Sequence, residues 1–558
     1  MKKLLFVFSI CFLFFSCKEE KSRNENVVLW QPYNDSLEVA QSADHETERM
    51  RYKLIQSKVL DKNEVFLPLY DEVSKVTEAD YLKWKPFILE QDIPTIQAHI
   101  AKGDLSYEKL VLFYLYRIYK YELNNETTLN TILALNKNVV DEARAMDKAS
   151  KKNSEKEHHP IYGMPILLKD NIDTEAMNTT AGSIALMNNS VDDAFIVTQL
   201  KKNGALILGK VNLSEWAYFL CSGCPVGYSA VGGQTLNPYG RKIFETGGSS
   251  AGSGTSVAAN YAVAAVGSET SGSILSPSSQ NSVVGLKPTI GLLSRSGIVP
   301  ISSTLDTPGP MTKNVIDNAI LLSAMTGKDV ADAKSVTTDA DYLNAASISN
   351  SLEGKRFGAF KNLMENDAIY AATMAKLTSM GATIVEFTPE QIDLPGFLSI
   401  LNIDMKNDLP SYIKANVKNK DGVKVTSIAD VIAFNNQDSL TRIPYGQSLF
   451  EGIMADTTSA EELASIILNL EVSSRSFFDK ILDGDNLDAI LSINNYHAGF
   501  AAVAKYPALT IPMGYKTTGE PISLTFIAKQ FQEAKLLQLG AAYEKGNKIR
   551  KMPKAFVD

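Results

Sequence analysis

Histidine, cysteine and surplus positive charge are all scarce in this chain, and each shortage narrows the chemistry available to it. Only 5 histidines occur in 558 residues, so mechanisms that depend on histidine have few candidates. The formal net charge is -8, which argues against nucleic acid or an anionic membrane surface as a partner, because both attract a basic face. Hydrophobic residues make up 45% and charged residues 21%, which is ordinary for a globular protein with a large core.

The 4 cysteines include two near the N-terminus, which leaves Cys221 and Cys224 as a C-x-x-C pair in the body of the chain. Such a pair can be a redox motif, half of a zinc site or a disulfide. No second pair exists to complete a four-cysteine zinc site. An oxidising compartment would permit a disulfide. The favoured interpretation is two loop cysteines without a catalytic role.

The apolar run over residues 4–15 is too short to span a bilayer and is typical of a signal peptide. It ends at Ser16-Cys17, and a small residue directly before a cysteine resembles a bacterial lipobox, in which the cysteine is lipidated. We therefore predict a lipoprotein signal peptide over residues 1–16, lipidation of Cys17 and an exported, membrane-anchored protein on the periplasmic or cell-surface side. An ordinary signal peptide with an incidental cysteine is the alternative.

The polar composition of residues 17–45 predicts a tether, and residues 46–558 are expected to form one domain. Residues from about 79 to 150 are predicted to be helical, with Ser106 as an N-cap. Apolar side chains there recur every three or four residues, the spacing of an amphipathic helix, at Leu110, Val111, Tyr114, Leu115, Ile118 and Tyr119.

In the middle of the chain, short apolar runs alternate with glycine-rich turns, which predicts an α/β fold with a mostly parallel or mixed sheet. The predicted strands are residues 165–168, 205–208, 488–492 and 508–512, and a closing helix is predicted over 534–544. Residues from about 350 to 480 are more polar and are predicted to form a variable helical cover over the substrate site.

Residues 246–289 are rich in glycine and serine, and such loops let backbone N–H groups approach a ligand closely. No lysine follows the glycines at the Walker A spacing. One stretch fits the G-x-S-x-G elbow of α/β-hydrolases, which would make Ser250 the nucleophile and His497 its base. Residues 241–246 lack the apolar strand that this elbow requires. Residues 106–109 fit the S-x-x-K motif of β-lactamase-like enzymes, but helix capping explains them.

The ordered set of motifs along the chain resembles the amidase signature family. The matching segments are residues 168–171, 247–253, 270–274, 285–289, 294–297, 306–310 and 506–514. The resemblance covers roughly residues 90–550 and implies a mixed central β-sheet flanked by α-helices on both faces, with no metal or organic cofactor. The Gly-Gly-Gln-Thr segment at 232–235 and the variant that contains Glu269 look most like bacterial peptide amidases, which hydrolyse carboxamides such as C-terminal peptide amides.

The resemblance also implies a Ser–cisSer–Lys triad. Lys169 matches the base, Ser249 the relay serine on a cis peptide bond, and Ser273 the nucleophile. Elementary chemistry supports these roles, because a serine hydroxyl is a poor nucleophile until a base takes its proton. Lysine can be that base only when it is neutral, and burial lowers the pKa of an ammonium group. Lys169 follows an apolar strand, so its desolvation is expected.

By the same resemblance, the backbone N–H groups of Thr270, Ser271, Gly272 and Ser273 would form the oxyanion hole. Ala217, Tyr218 and Ser249 align with positions that contact substrate in the family.

The nucleophile segment departs from the family pattern, which often has two glycines before the serine and an arginine after the isoleucine. Here Ser271 replaces the first glycine and Leu275 the arginine, so a carried-over substrate specificity is in doubt. Glu269 could support Lys169 by hydrogen bonding or could order the loop, and the second role is favoured.

The sequence therefore predicts an amide hydrolase that converts a carboxamide to an acid plus ammonia or an amine through an acyl-enzyme. Its expected partners are small-molecule or peptide amides, and a membrane only through the lipid anchor. Amidotransferase subunits that act on charged tRNA belong to the same family, but an exported chain would not meet tRNA. A surface lipoprotein that binds substrate without catalysis is the alternative, and the sequence sets no oligomeric state.

Overall fold

The computed structural model describes residues 27–152, 157–348 and 351–558. The predicted signal peptide over residues 1–16 and the predicted lipidation of Cys17 lie outside these ranges. Within the described ranges, none of the helices combines the length and the hydrophobicity that a membrane span requires.

An eleven-stranded mixed sheet forms the centre of the described structure. The strands, including a separate two-stranded hairpin made by β4 and β5, are β1 Ile132–Leu135, β2 Pro165–Lys169, β3 Leu206–Val211, β4 Tyr228–Ser229, β5 Gly233–Gln234, β6 Ala264–Glu269, β7 Val284–Lys287, β8 Thr307–Thr312, β9 Arg356–Phe360, β10 Thr383–Phe387, β11 Ala489–Ile493, β12 Ala508–Tyr515 and β13 Pro521–Ile527. Their order in the large sheet is β1-β3-β2-β6-β8-β7-β12-β13-β11-β9-β10.

Parallel pairing joins β2 to both β3 and β6, so the carboxyl ends of these three strands lie at one edge of the sheet. Antiparallel pairing joins β6 to β8 and β7 to β12. Every residue of β2, β3 and β6 is buried, which requires that both faces of the sheet are covered.

Helices supply that cover. They are α1 Ser36–Ser42, α2 Lys62–Phe66, α3 Tyr70–Val73, α4 Glu78–Ile88, α5 Ile93–Lys102, α6 Tyr107–Glu122, α7 Val139–Lys152, α8 Phe195–Lys202, α9 Ala251–Ala258, α10 Leu275–Gln280, α11 Val315–Met325, α12 Tyr342–Ile348, α13 Lys361–Asn366, α14 Ala368–Ser379, α15 Phe397–Asn416, α16 Ile428–Asn436, α17 Ser439–Arg442, α18 Ser448–Ala455, α19 Ala460–Gly484, α20 Ala498–Val503 and α21 Glu533–Gly546. The predicted α/β class and the mixed sheet are therefore confirmed.

The predicted N-cap of α6 is confirmed, because the Ser106 hydroxyl accepts a hydrogen bond from Lys109 N at 3.2 Å. The S-x-x-K spacing at this point therefore has a structural explanation. The helical prediction for residues 79–150 holds for α4 to α7, but β1 interrupts it as an antiparallel neighbour of β3.

The structure differs from the predicted tether from residue 27 onward. Trp30 is buried, and its indole N–H donates to Asn125 Oδ1 at 2.7 Å. Glu38, in α1, pairs with Arg241 at 3.0 Å and with Lys242 at 2.7 Å. The buried ring of Trp30 and these ion pairs hold this polar segment against the domain. Its polar composition alone does not predict this packing.

The predicted helical cover at residues 350–480 is only partly helical. Its first part contains β9 and β10, which pair in parallel and complete one edge of the central sheet. That first part also contains α13 and α14, and the remainder is made of the helices α15 to α19, which we call the cover lobe (residues 397–484). The lobe has an apolar core of its own, which includes Ile400, Met405 and Phe450 and packs on Trp216.

Arg117, in α6, joins the helical layer to the end of the chain. Its buried guanidinium donates to the carbonyls of Ala259, Asn260 and Phe556 and to the Tyr81 hydroxyl.

We predict that Arg117→Met, which removes all of these donors, lowers the free energy of unfolding by about 3 kcal/mol, because the carbonyls stay buried without partners. Thermal denaturation followed by circular dichroism measures the effect. Lys120→Met, at an exposed position of the same helix, is the matched control and should change the melting temperature little. Equal melting temperatures for both variants would contradict the prediction.

Candidate active site

Lys169 is the last residue of β2, and its side chain is fully buried beside the end of β6. Its Nζ lies 2.7 Å from Ser249 Oγ, 3.0 Å from the carbonyl oxygen of Ser268 and 2.9 Å from Ser268 Oγ. Asn171 Nδ2 donates to Ser268 Oγ at 2.9 Å, which fixes that hydroxyl. Lys169 and Ser249, predicted from motifs far apart in the chain, are therefore in direct contact.

Burial lowers the pKa of Lys169 from 10.5 to about 7, against the opposing influence of Asp306 and Glu269. Within the described residues no carboxylate lies within ion-pair distance of Lys169 Nζ. Lys210, its neighbour on β3, is also buried but pairs with Asp170 at 3.2 Å. Because it is buried without a counterion at ion-pair distance, Lys169 can lose its proton near neutral pH.

Ser249 lies between the glycine-rich turn and α9, and the peptide bond between Gly248 and Ser249 is cis. Its carbonyl oxygen accepts a hydrogen bond from Ser214 N at 3.0 Å, and the residue is fully buried. The adjacent Ser250 points elsewhere, since its hydroxyl donates to Ser268 O at 3.0 Å and accepts from Ser268 N at 3.2 Å.

Ser250 and His497, the alternative nucleophile and base, make no hydrogen bond to each other in the described structure. His497 Nδ1 lies 2.6 Å from Ser492 Oγ, and its ring stacks on Phe360 with centroids 3.9 Å apart. Burial lowers the pKa of His497 to about 4. These contacts assign His497 to the packing around β11 and the cover lobe.

Ser273 lies in the loop between β6 and α10 and is partly exposed, in contrast to Lys169 and Ser249. In the part of the chain that the structure describes, Ser273 Oγ makes no hydrogen bond to Ser249. The main chain nevertheless ties the two segments together, because Ser250 N donates to Ser273 O at 3.2 Å. The nucleophile candidate is thus the accessible member of the predicted triad.

Glu269 orders this loop from inside. Its Oε1 accepts a hydrogen bond from Gly272 N at 2.6 Å, and its Oε2 accepts from Ile274 N at 2.7 Å and from Leu275 N at 3.0 Å. The carboxylate makes no hydrogen bond to Lys169 among the described residues, which agrees with the loop-ordering interpretation. Gly272 has φ 86°, a conformation that favours glycine, at the centre of the turn.

One of the four N–H groups predicted to form the oxyanion hole already has an acceptor within the protein. Gly272 N–H already donates to the Glu269 carboxylate, so it is not free for a substrate oxygen. The amides of Thr270, Ser271 and Ser273 donate to no acceptor in the described structure. Three of the four predicted N–H groups therefore remain available for an oxyanion.

A cavity of about 440 Å³ opens beside these residues. Ser268 and Thr270 form part of its wall, as do Asn171 and Ala217, the latter being one of the residues predicted to contact substrate. The cover lobe closes another side through α15. Tyr218 instead lines a second, small depression, where its hydroxyl donates to Cys224 O at 2.8 Å.

Cys221 and Cys224 form a disulfide in the loop that follows Tyr218. This resolves the alternatives left by the C-x-x-C spacing. Among the described residues there is no cluster of potential metal ligands.

Ser268 and Asn171 are site residues that motif reasoning did not single out. Ser268 precedes the nucleophile candidate Ser273 by five positions and offers both its carbonyl oxygen and its hydroxyl to Lys169 as acceptors. The one sequence feature that points to Ser268 is its position near the end of β6, the strand that pairs with β2.

Comparison with known proteins identifies the family of the chain. The model of the family described as Amidase matches residues 109–492. A probable amidase of Arabidopsis thaliana is 35% identical over 483 residues, which cover 84% of this chain and 92% of that protein. The solved structure of an amidase family protein from Bacillus anthracis covers 90% of this chain and 100% of its own, with 37% identity and a TM-score of 0.83.

The structure of native peptide amidase from Stenotrophomonas maltophilia is 34% identical, with a TM-score of 0.78, and covers 84% of this chain and 99% of its own. The chain belongs to the amidase signature family. It is therefore an amidase.

We predict that Glu269→Gln destabilises the nucleophile loop. A glutamine has one acceptor oxygen and presents its NH₂ group to a backbone N–H, so about 2 kcal/mol of folding stability should be lost, and amidase activity should fall with it. Thermal unfolding and turnover measure both effects. Glu390→Gln, in an exposed pair with Lys480, is the control. Unchanged unfolding of the Glu269 variant would show that the three hydrogen bonds do not hold the loop.

Proposed function

We propose that the protein hydrolyses a carboxamide through an acyl-enzyme on Ser273, with Ser249 as proton relay and Lys169 as base. The observation that carries the proposal is the 2.7 Å contact between Lys169 Nζ and Ser249 Oγ, made by a buried lysine that has no carboxylate partner in the described structure.

The hydrogen bonds around Lys169 suit a neutral amine. An uncharged amine has two N–H donors and one lone pair. Ser268 O can only accept, and Ser268 Oγ can accept the second N–H, so both donors are used there. The lone pair then faces Ser249 Oγ, whose O–H donates to it. In this state Ser249 Oγ is ready to accept a proton from another hydroxyl.

Proton transfer would run from Ser273 through Ser249 to Lys169 as Ser273 Oγ attacks the amide carbon. The negative charge that develops on the carbonyl oxygen would be stabilised by the free N–H groups of the loop. Ser249 then returns the proton to the departing nitrogen, which leaves as ammonia or an amine. Water repeats the same steps, breaks the ester bond to Ser273 and releases the acid.

Similarity to known proteins also supports a proposal for the class of substrate. We propose a C-terminal peptide amide, because the chain is similar over most of its length to a protein described as a peptide amidase. The cavity of about 440 Å³ beside Thr270 is large enough for one or two amino-acid residues.

We also propose that the chain acts outside the cytoplasm as a lipoprotein anchored through Cys17. The disulfide between Cys221 and Cys224 supports export, because such bonds persist mainly in oxidising compartments.

Ser273→Ala is predicted to reduce ammonia release from peptide amides by roughly a thousandfold or more, because no other group on the path can form the acyl-enzyme. Purified protein without its leader is assayed against peptide, aryl and fatty amides, with labelling by a fluorophosphonate as a second readout. Ser465→Ala, on the surface of α19, is the control. Labelling or turnover that survives in the Ser273 variant would rule out this nucleophile. Labelling of the parent protein without turnover of any amide would favour a binding protein on an amidase fold.

The acid limb of the pH profile should report Lys169. The active form is the neutral amine, so kcat/KM should fall about tenfold per pH unit below a midpoint near 7 and level off above it. Initial rates from pH 5 to 9 measure this. A profile that stays flat down to pH 5 would exclude Lys169 as the base.

A further inference from the structure

The cavity beside the active site has an excess of negative charge along its lining. Asp306, Asp332 and Asp408 line it, whereas Arg295 is the one cation among the lining residues. Asp404 and Lys334 contact the same loop at Ser302 and Ser303 without lining the cavity, and their charges are opposite.

One of the three carboxylates is paired with the cation, and another is held by three hydrogen bonds. Asp332 holds the Arg295 guanidinium through Nε at 2.9 Å and through Nη2. Asp306 accepts hydrogen bonds from Thr270 Oγ1 at 2.5 Å, and from the amides of Ile301 and Ser302 at 2.8 Å and 2.9 Å. Neither group needs a ligand to satisfy it.

Asp408 is different. It projects from α15 in the cover lobe and accepts a hydrogen bond from Ser303 N at 2.7 Å. No cation lies within ion-pair distance of its carboxylate in the described residues. Burial raises the pKa of Asp408, and the charge of Arg295, which lies beyond ion-pair distance, opposes this shift.

A second, independent feature indicates a ligand in the same cavity. Asn171 is 2% exposed and lines the cavity, and its Oδ1 accepts no hydrogen bond in the described structure. Its Nδ2 donates to Ser268 Oγ at 2.9 Å and to the carbonyl oxygen of Val299 at 3.5 Å, and because a carbonyl can only accept, this orientation leaves Oδ1 as the unused acceptor. Buried acceptors of this kind are normally satisfied, and an N–H donor of a bound ligand would do so.

We propose that this cavity binds a positively charged side group of the amide substrate, an ammonium or guanidinium, and that Asp408 is the residue that recognises it. The inference rests on the proposed function, because it assumes that the substrate amide lies at Ser273 while the rest of the molecule extends past Thr270. Asn171 Oδ1 then accepts an N–H of the substrate. The preferred substrates are amides of basic peptides.

The test compares N-acetylated dipeptide amides that differ in one side chain: lysine, its uncharged analogue norleucine, and glutamate, placed at either residue. The parent protein should hydrolyse the lysine peptide with a kcat/KM about tenfold above that of the norleucine peptide at low ionic strength, with a smaller ratio in 0.5 M salt. Asp408→Asn keeps an acceptor for Ser303 N but removes the charge, and should bring the ratio close to one. Asp421→Asn, an exposed position, is the control and should keep the ratio.

Calorimetric binding of the same peptides to Ser273→Ala separates this inference from the proposed function. Tighter binding of the lysine peptide, lost on adding Asp408→Asn, supports the cavity assignment even if no peptide amide is hydrolysed, an outcome that would count against the proposed function alone. Equal binding and equal kcat/KM of the lysine and norleucine peptides would overturn the inference while leaving the amidase activity intact. A preference that survives Asp408→Asn would also overturn it.

Discussion

The active site depends on a buried lysine that has neutral hydrogen-bond partners. Lys169 ends a strand that is buried on both faces, and the parallel pairing with β6 brings Ser268 to its amino group. An ammonium group in this position lacks both water and a counterion, so the neutral form gains stability relative to it. Burial lowers the pKa of Lys169, and in the mechanism that we propose the two contacts with Ser268 leave the lone pair of the neutral amine for Ser249.

The surrounding structure keeps this arrangement from relaxing. The Glu269 carboxylate accepts hydrogen bonds from three backbone N–H groups in and next to the nucleophile loop, and it makes none to Lys169 in the described structure. By contrast, the buried Lys210 on the adjacent strand β3 forms an ion pair with Asp170. Two buried lysines, offset by one register position on neighbouring strands, thus differ in their partners, since Lys210 has a counterion and Lys169 has none within ion-pair distance in the described structure.

Much of the fold could be predicted from the sequence, since β2, β3 and β12 are apolar runs bounded by turns. β10 was missed although it contains Ile384, Val385 and Phe387, because it is a largely exposed edge strand within a polar part of the chain. The triad candidates came from motif resemblance, and spacing alone would not have joined Lys169 to Ser249, 80 residues apart. The role of Ser268 and the occupied amide of Gly272 depend on loop geometry that only the folded chain defines.

The most direct test is a titration of the Lys169 amino group itself. In protein with ¹⁵N at the lysine side chains, the Nζ resonance of Lys169, assigned by its loss in Lys169→Met, is followed by NMR from pH 5 to 11. A midpoint near 7 is the result that burial without a counterion predicts. A midpoint close to 10.5, the ordinary value for lysine, would mean that Lys169 stays charged at neutral pH and cannot take the serine proton.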